Sequence, residues 1–121
     1  MTPMAEMAAA ARQGKLALQR CTSCGAVQYP PRELCWHCLA DALEWRVSHR
    51  EPGEVLATTT LYHSYDAQFR SRLPLRVGLV RLDAGPTTVC FLAEDGGTRA
   101  RVVVSAETDD ADRAILTATP V

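Results

Sequence analysis

The sequence predicts a mainly β chain, a small α+β fold in which a short N-terminal helix, a four-cysteine ribbon and a five-stranded barrel follow one another. Three observations carry this. Four of the five cysteines fall between Cys21 and Cys38 as two Cys-x2-Cys pairs. Past Gly53 the chain turns to alternating, β-branched segments divided by turn residues. The first residues are rich in alanine, methionine and glutamate, all good helix formers.

Taken in order, Met4 to Arg12 is expected to form the helix, with Gly14 ending it. "KLALQR", Lys15 to Arg20, alternates apolar and polar residues and predicts a brief strand into the cysteine loop. "EWRVSHR" leaves that loop in the same way, with Trp45 and Val47 on one face. Five barrel strands follow in "EVLATTTLYHS", "LPLRVGLVRLDA", "TTVCFLAE", "TRARVVVSA" and "RAILTAT", with "EPG", "DAGP" and "EDGG" as turns. Closing them into a barrel hides edges that would otherwise pair with other chains. The expected divisions are residues 1–14 for the helix, 15–48 for the ribbon and 49–121 for the barrel. Trp36 and Trp45 are expected to cover the joint between ribbon and barrel.

Two Cys-x2-Cys pairs ten residues apart let two tight turns each offer two sulfurs to one tetrahedral ion, so Cys21, Cys24, Cys35 and Cys38 are the metal ligands. Zinc is the first choice and iron the alternative, because spacing alone separates the two poorly. A disulfide framework is disfavoured without an export signal, and a thioredoxin-like motif would need a βαβ pattern that is missing. Gly25, after Cys24, can take a backbone conformation that aims amide N–H groups at the sulfurs. Four thiolates close the shell, whereas a catalytic zinc keeps a position open, so the site is expected to be structural. A proline-rich loop this short buries too little apolar surface to hold itself together, and metal–sulfur bonds supply the folding free energy instead. His37, between two ligands of a complete set, is expected to face solvent. Cys90, among apolar neighbours, is expected to be an inert core thiol.

The 121 residues, 47% of them hydrophobic, suffice for one small core with an appendage. No apolar run approaches the ~20 residues of a membrane-spanning helix, and the start lacks a secretory pattern, so the cytoplasm is the expected compartment. The formal net charge of −1 lacks the basic footprint of a nucleic-acid binder. Locally the balance is uneven. Arg70, Arg72, Arg76 and Arg81 lie close together, answered nearby by Asp66 and Asp83, and could meet an anion, while Glu107, Asp109, Asp110 and Asp112 make the C-terminal region acidic.

The stretches "LQRCTSCGAVQYPPRELCWHC", "EWRVSHREPGEVLATTTLYHS" and "LPLRVGLVRLDAGPTTVCFL" resemble the acyl-CoA-associated family that joins a rubredoxin-like zinc ribbon to an OB-fold barrel. The resemblance runs from about Lys15 to Leu92, and "QYPPR", Gln28 to Arg32, is its most specific part. It implies a small non-catalytic subunit of a thiolase, of an acyl-CoA-cleaving aldolase or of an enoyl-CoA hydratase, one that binds the large partner and helps enclose the CoA ester. A thiolase-type partner handling an unusual acyl-CoA, such as an aromatic or steroid-derived one, is the expectation taken from that range.

A catalytic reading has thin material. His63, with Ser64 beside it and Asp66 close by, invites comparison with a triad, but adjacency in sequence is not triad geometry. The same loop suits binding better. CoA offers phosphates, an adenine face and a pantetheine arm, which call for guanidinium groups and aromatic platforms. Tyr62, His63, Tyr65, Phe69, Arg70 and Arg72 supply these, and equally suit contact with a partner subunit. The rival class is a single-strand nucleic-acid binder, since ribbons and OB barrels both occur there, but scattered aromatics and a mildly acidic balance speak against it.

Overall fold

The computed structural model describes residues 2–63, 73–93, 97–109 and 111–121. Helix α1, Pro3–Arg12, begins where the Thr2 side chain accepts a hydrogen bond from the Ala5 amide at 3.1 Å, with Pro3 in the first turn where no donor is missed. Gly14, at φ +72°, turns the chain out of it.

Three strands make the ribbon sheet: β1, Leu16–Cys21, lies between β2, Val27–Gln28, and β3, Leu43–Ser48, all antiparallel. Simple alternation fails in β1, because Ala17 and Gln19 are as buried as Leu16 and Leu18. Leu16 and Leu18 join the main core, while Ala17 and Trp45 line one cleft with the helix residues Glu6, Ala9 and Ala10. Covered on both faces, the strand has no solvent side to keep polar.

The barrel closes in the order β4-β5-β6-β8-β7, from β4, Glu51–Leu61; β5, Leu75–Leu82; β6, Thr87–Leu92; β7, Arg101–Thr108; and β8, Ala114–Pro120. Every pairing is antiparallel except β6 with β8, the five-stranded Greek-key arrangement of an OB-fold. "EPG" is not a turn but the start of β4. Glu51, Pro52 and Gly53 pair with Val104, Val103 and Val102, and these rungs close the barrel. Two of the acidic C-terminal residues make pairings of their own. The Asp109 carboxylate accepts from the Ala111 and Arg113 amides, and Arg12 of α1 forms an ion pair with Asp112.

One core runs through helix, ribbon and barrel, from Met7 and Ala11 through Leu16 and Leu18 to Val55, Val80, Val104 and Leu116. Cys90 is buried in it, and its thiol is pushed up by burial, as befits an inert core residue. Trp45 packs on the core and donates from Nε1 to Glu6 at 3.0 Å. Trp36 does not cover the joint. It stands 63% exposed on the cysteine loop, edge-on to His37. Among the described residues no helix is long and apolar enough to cross a membrane.

Candidate metal centre

The two cysteine pairs sit in the same backbone turn, built twice. The Cys21 amide donates to the Ala26 carbonyl at 2.8 Å, and the Gly25 amide returns to the Cys21 carbonyl at 2.8 Å. In the second turn the Cys35 amide donates to Ala40 at 2.9 Å and the Leu39 amide to Cys35 at 2.8 Å. Gly25 takes φ +82°, as its sequence position led one to expect; its counterpart Leu39 takes φ +64° with a side chain in place. A leucine in that region costs on the order of 1 kcal/mol. Thr22 bridges the turns, donating from its amide and its hydroxyl to the Ala42 carbonyl.

These turns bring all four sulfurs within 4.8 Å of one another, with Cys21 to Cys38 at 3.6 Å and Cys24 to Cys35 at 3.7 Å. A tetrahedron with metal–sulfur bonds of ~2.3 Å has edges of ~3.8 Å, so the spacing fits one ion, and no pair is joined as a disulfide. The first cysteine of each turn is buried and the second exposed. Backbone amides of Cys38 and His37 aim at Cys35 and bring its thiol down to about 6, and the Cys24 amide likewise lowers Cys21. At Cys24 the Ala26 amide favours the thiolate, but desolvation and the surrounding sulfurs outweigh it and push the thiol up to about 12. Four thiolates cannot crowd together without a cation among them, and a divalent ion supplies that charge.

The loop that delivers Cys35 is held by two buried glutamines, Gln19 and Gln28, which no motif in the sequence marks. Gln28 donates to Gln19 Oε1 at 2.8 Å and to the Leu34 carbonyl at 3.2 Å, and accepts from the Trp36 amide at 3.0 Å. Gln19 accepts from the Arg32 amide and donates to the Arg32 carbonyl, both at 2.7 Å. The amide pair thus stands in for the missing strand partner of "PPREL". The only signal in the sequence was glutamine at positions of β1 and β2 that have no route to water.

His37 is exposed. Tyr62 and His63 stand exposed at the exit of β4, Tyr62 at 69%. Tyr65, Phe69, Arg70 and Arg72, with Ser64 and Asp66, lie outside the described residues. Of the arginine group, Arg76 and Arg81 are among the described residues, and being five residues apart on β5 they lie on opposite sides of it. Arg76 is half-buried, Arg81 is exposed, and Asp83 is engaged instead by Arg101 at 2.6 and 3.0 Å.

Against known proteins, residues 8–44 match the rubredoxin-like zinc ribbon domain of ChsH2 and residues 45–108 the C-terminal OB-fold domain of ChsH2. A probable enoyl-CoA hydratase alpha subunit of Thermomonospora curvata is 32% identical over 84 residues, which is 69% of this chain and 25% of that protein. The chain therefore spans about a quarter of the length of that curated relative. Among solved structures, the Ltp2-ChsH2(DUF35) aldolase superposes with a TM-score of 0.77 at 25% identity, over 96% of this chain and 92% of the other. A DUF35-family protein of unknown function from Sulfolobus solfataricus shares the fold, with a TM-score of 0.64 at 19% identity over 99% and 87% of the two chains.

Proposed function

We propose that this chain, which belongs to the ChsH2 family of rubredoxin-like zinc ribbons followed by C-terminal OB-fold domains, is the non-catalytic small subunit of a larger acyl-CoA enzyme. The observation that carries the reading is the four-sulfur site. A tetrahedron filled by cysteine leaves no position for water or substrate, so its ion shapes the ribbon and takes no part in chemistry. We assign that ion as zinc, which has no redox chemistry to protect and suits four thiolates.

The names of the similar proteins, an aldolase and an enoyl-CoA hydratase subunit, support a partner that works on a CoA ester. They favour aldolase or hydratase chemistry over the thiolase expected from resemblance, which remains the third companion to try. On this reading Tyr62 and His63, exposed where β4 ends, help to enclose the CoA ester. The test is co-expression with a candidate large subunit, an acyl-CoA aldolase, enoyl-CoA hydratase or thiolase. Co-elution, and activity that requires both chains, is the expected result; full activity of the large chain alone refutes the reading. Tyr62→Ala in that complex should raise KM for the CoA ester with little change in kcat.

A further inference from the structure

His49 and Arg50 form the link between ribbon and barrel, since β3 ends at Ser48 and β4 begins at Glu51. The link is clamped at its base. The Ser48 hydroxyl donates to the buried Glu51 carboxylate at 3.0 Å, and Arg46 holds its other oxygen at 3.3 Å. Glu51 in turn is fixed on the barrel by its rung with Val104. His49 and Arg50 themselves are exposed, and neither makes a hydrogen bond or ion pair among the described residues. With Gly14 just past α1, Val103 and Ser105 of β7 and Thr119 of β8, they line a cleft of about 480 Å³. Val103 lies opposite Thr119, and Ser105 follows two residues along on the same outward side of β7, so both hydroxyl residues stand on the outer surface of the barrel. No acidic residue is among those described as lining the cleft.

We propose that this cleft is a binding site for a phosphate monoester, independent of the small-subunit reading and separate from the CoA-ester contact assigned above to Tyr62 and His63. The donor set suits that class. Arg50 offers a planar fork of N–H groups and a fixed positive charge, His49 a ring N–H in either protonation state, and Ser105 and Thr119 a hydroxyl each. A carboxylate has two oxygens to satisfy, whereas a phosphate monoester has three terminal oxygens and close to two negative charges, which matches donors drawn from the link, β7 and β8. Because Arg50 and His49 have no internal partner among the described residues, an oxyanion there breaks no bond within the chain. The cleft is larger than a phosphate alone and within the range of small-molecule sites, and Val103 and Pro120 give the organic part an apolar wall. Its position keeps it apart from Tyr62 and His63. These stand past the far end of the 11-residue β4, roughly 35 Å of strand away from Arg50.

The test titrates the full metal-loaded chain with inorganic phosphate and with glycerol 3-phosphate in a phosphate-free buffer, followed by amide chemical shifts. The expected result is saturable shifts gathered at Gly14, Arg50, Ser105 and Thr119 and weakened by added salt, with glycerol 3-phosphate bound at least as tightly as phosphate. Arg50→Gln should raise the Kd about tenfold or more and Ser105→Ala roughly two- to tenfold, both with metal content and melting temperature near wild type. Shifts that do not saturate, or a Kd indifferent to both substitutions, overturn the proposal. Displacement of the phosphate by CoA but not by dephospho-CoA, which lacks the 3′-phosphate, would give the cleft to the CoA ester and overturn a separate site. A chain that binds neither probe, yet loses affinity for its large subunit on Arg50→Gln, places the arginine in a protein interface and overturns the proposal as well.

Discussion

Gln28 offers the sharpest test of how the metal loop is held. Gln28→Met keeps most of the volume and removes three hydrogen bonds, those with Gln19, the Leu34 carbonyl and the Trp36 amide. Gln19 Oε1 keeps the Arg32 amide, so the groups left without a partner are the Leu34 C=O and the Trp36 N–H. Each such group costs ~1–3 kcal/mol when desolvated, and these contacts are part-buried, which places the loss at about 2–3 kcal/mol in total. Ribbon folding and metal binding are one equilibrium, so that loss is read as metal affinity. A loss of 1.4 kcal/mol is tenfold, which makes the expected weakening roughly 30- to 100-fold. Competition with a chromophoric chelator at fixed pH measures it. Affinity within about threefold of wild type would show that the cysteine turns hold themselves and that the glutamine pair is incidental.

Three further outcomes follow from particular atoms. At Gly53 an added Cβ would stand 2.8 Å from the Arg81 carbonyl and 2.9 Å from Val80 Cγ1, so Gly53→Ala should destabilise by about 1–3 kcal/mol in chemical denaturation; a neutral result would mean that the β4–β5 rungs part to admit a methyl group at no cost. Leu39 is 72% exposed at positive φ, so Leu39→Gly should stabilise the holo chain by up to about 1 kcal/mol, and a loss instead would show that its side chain packs. Asp83 is held below the usual carboxylate range, first by its hydrogen bonds from Arg101, so its contribution is present above the unfolded-state pKa and is lost as pH falls through the folded one. Asp83→Asn should therefore lower the melting temperature slightly at pH 7, less in high salt, with the difference gone in strong acid; a difference that persists there contradicts the assignment.

What was legible in the sequence was whatever is encoded locally. Ligand spacing is a property of two short turns, so Cys21, Cys24, Cys35 and Cys38 could be grouped before any fold was known. The barrel strands were visible as β-branched, apolar runs divided by turn residues. What escaped depends on distant partners. "EPG" reads as a turn in isolation, yet Pro52 pairs with Val103 inside β4 and its carbonyl accepts from the Asp83 amide at 2.9 Å. Gln19 and Gln28 are ordinary polar residues until the fold places them against a loop with no strand of its own. Leu39 hides its left-handed backbone because the usual glycine is absent. Trp36 was expected with Trp45 over the joint between ribbon and barrel, and the cysteine loop instead leaves it 63% exposed.

The most direct test of the account is X-ray absorption at the metal edge of the protein as isolated, together with metal content per chain. The account predicts one zinc per chain with four sulfur neighbours at ~2.3 Å and no lighter ligand. A site with an oxygen or nitrogen in place of a sulfur would make the ion open to substrate, and a metal-free protein with paired cysteines would remove it from the fold; either result contradicts the structural centre proposed above.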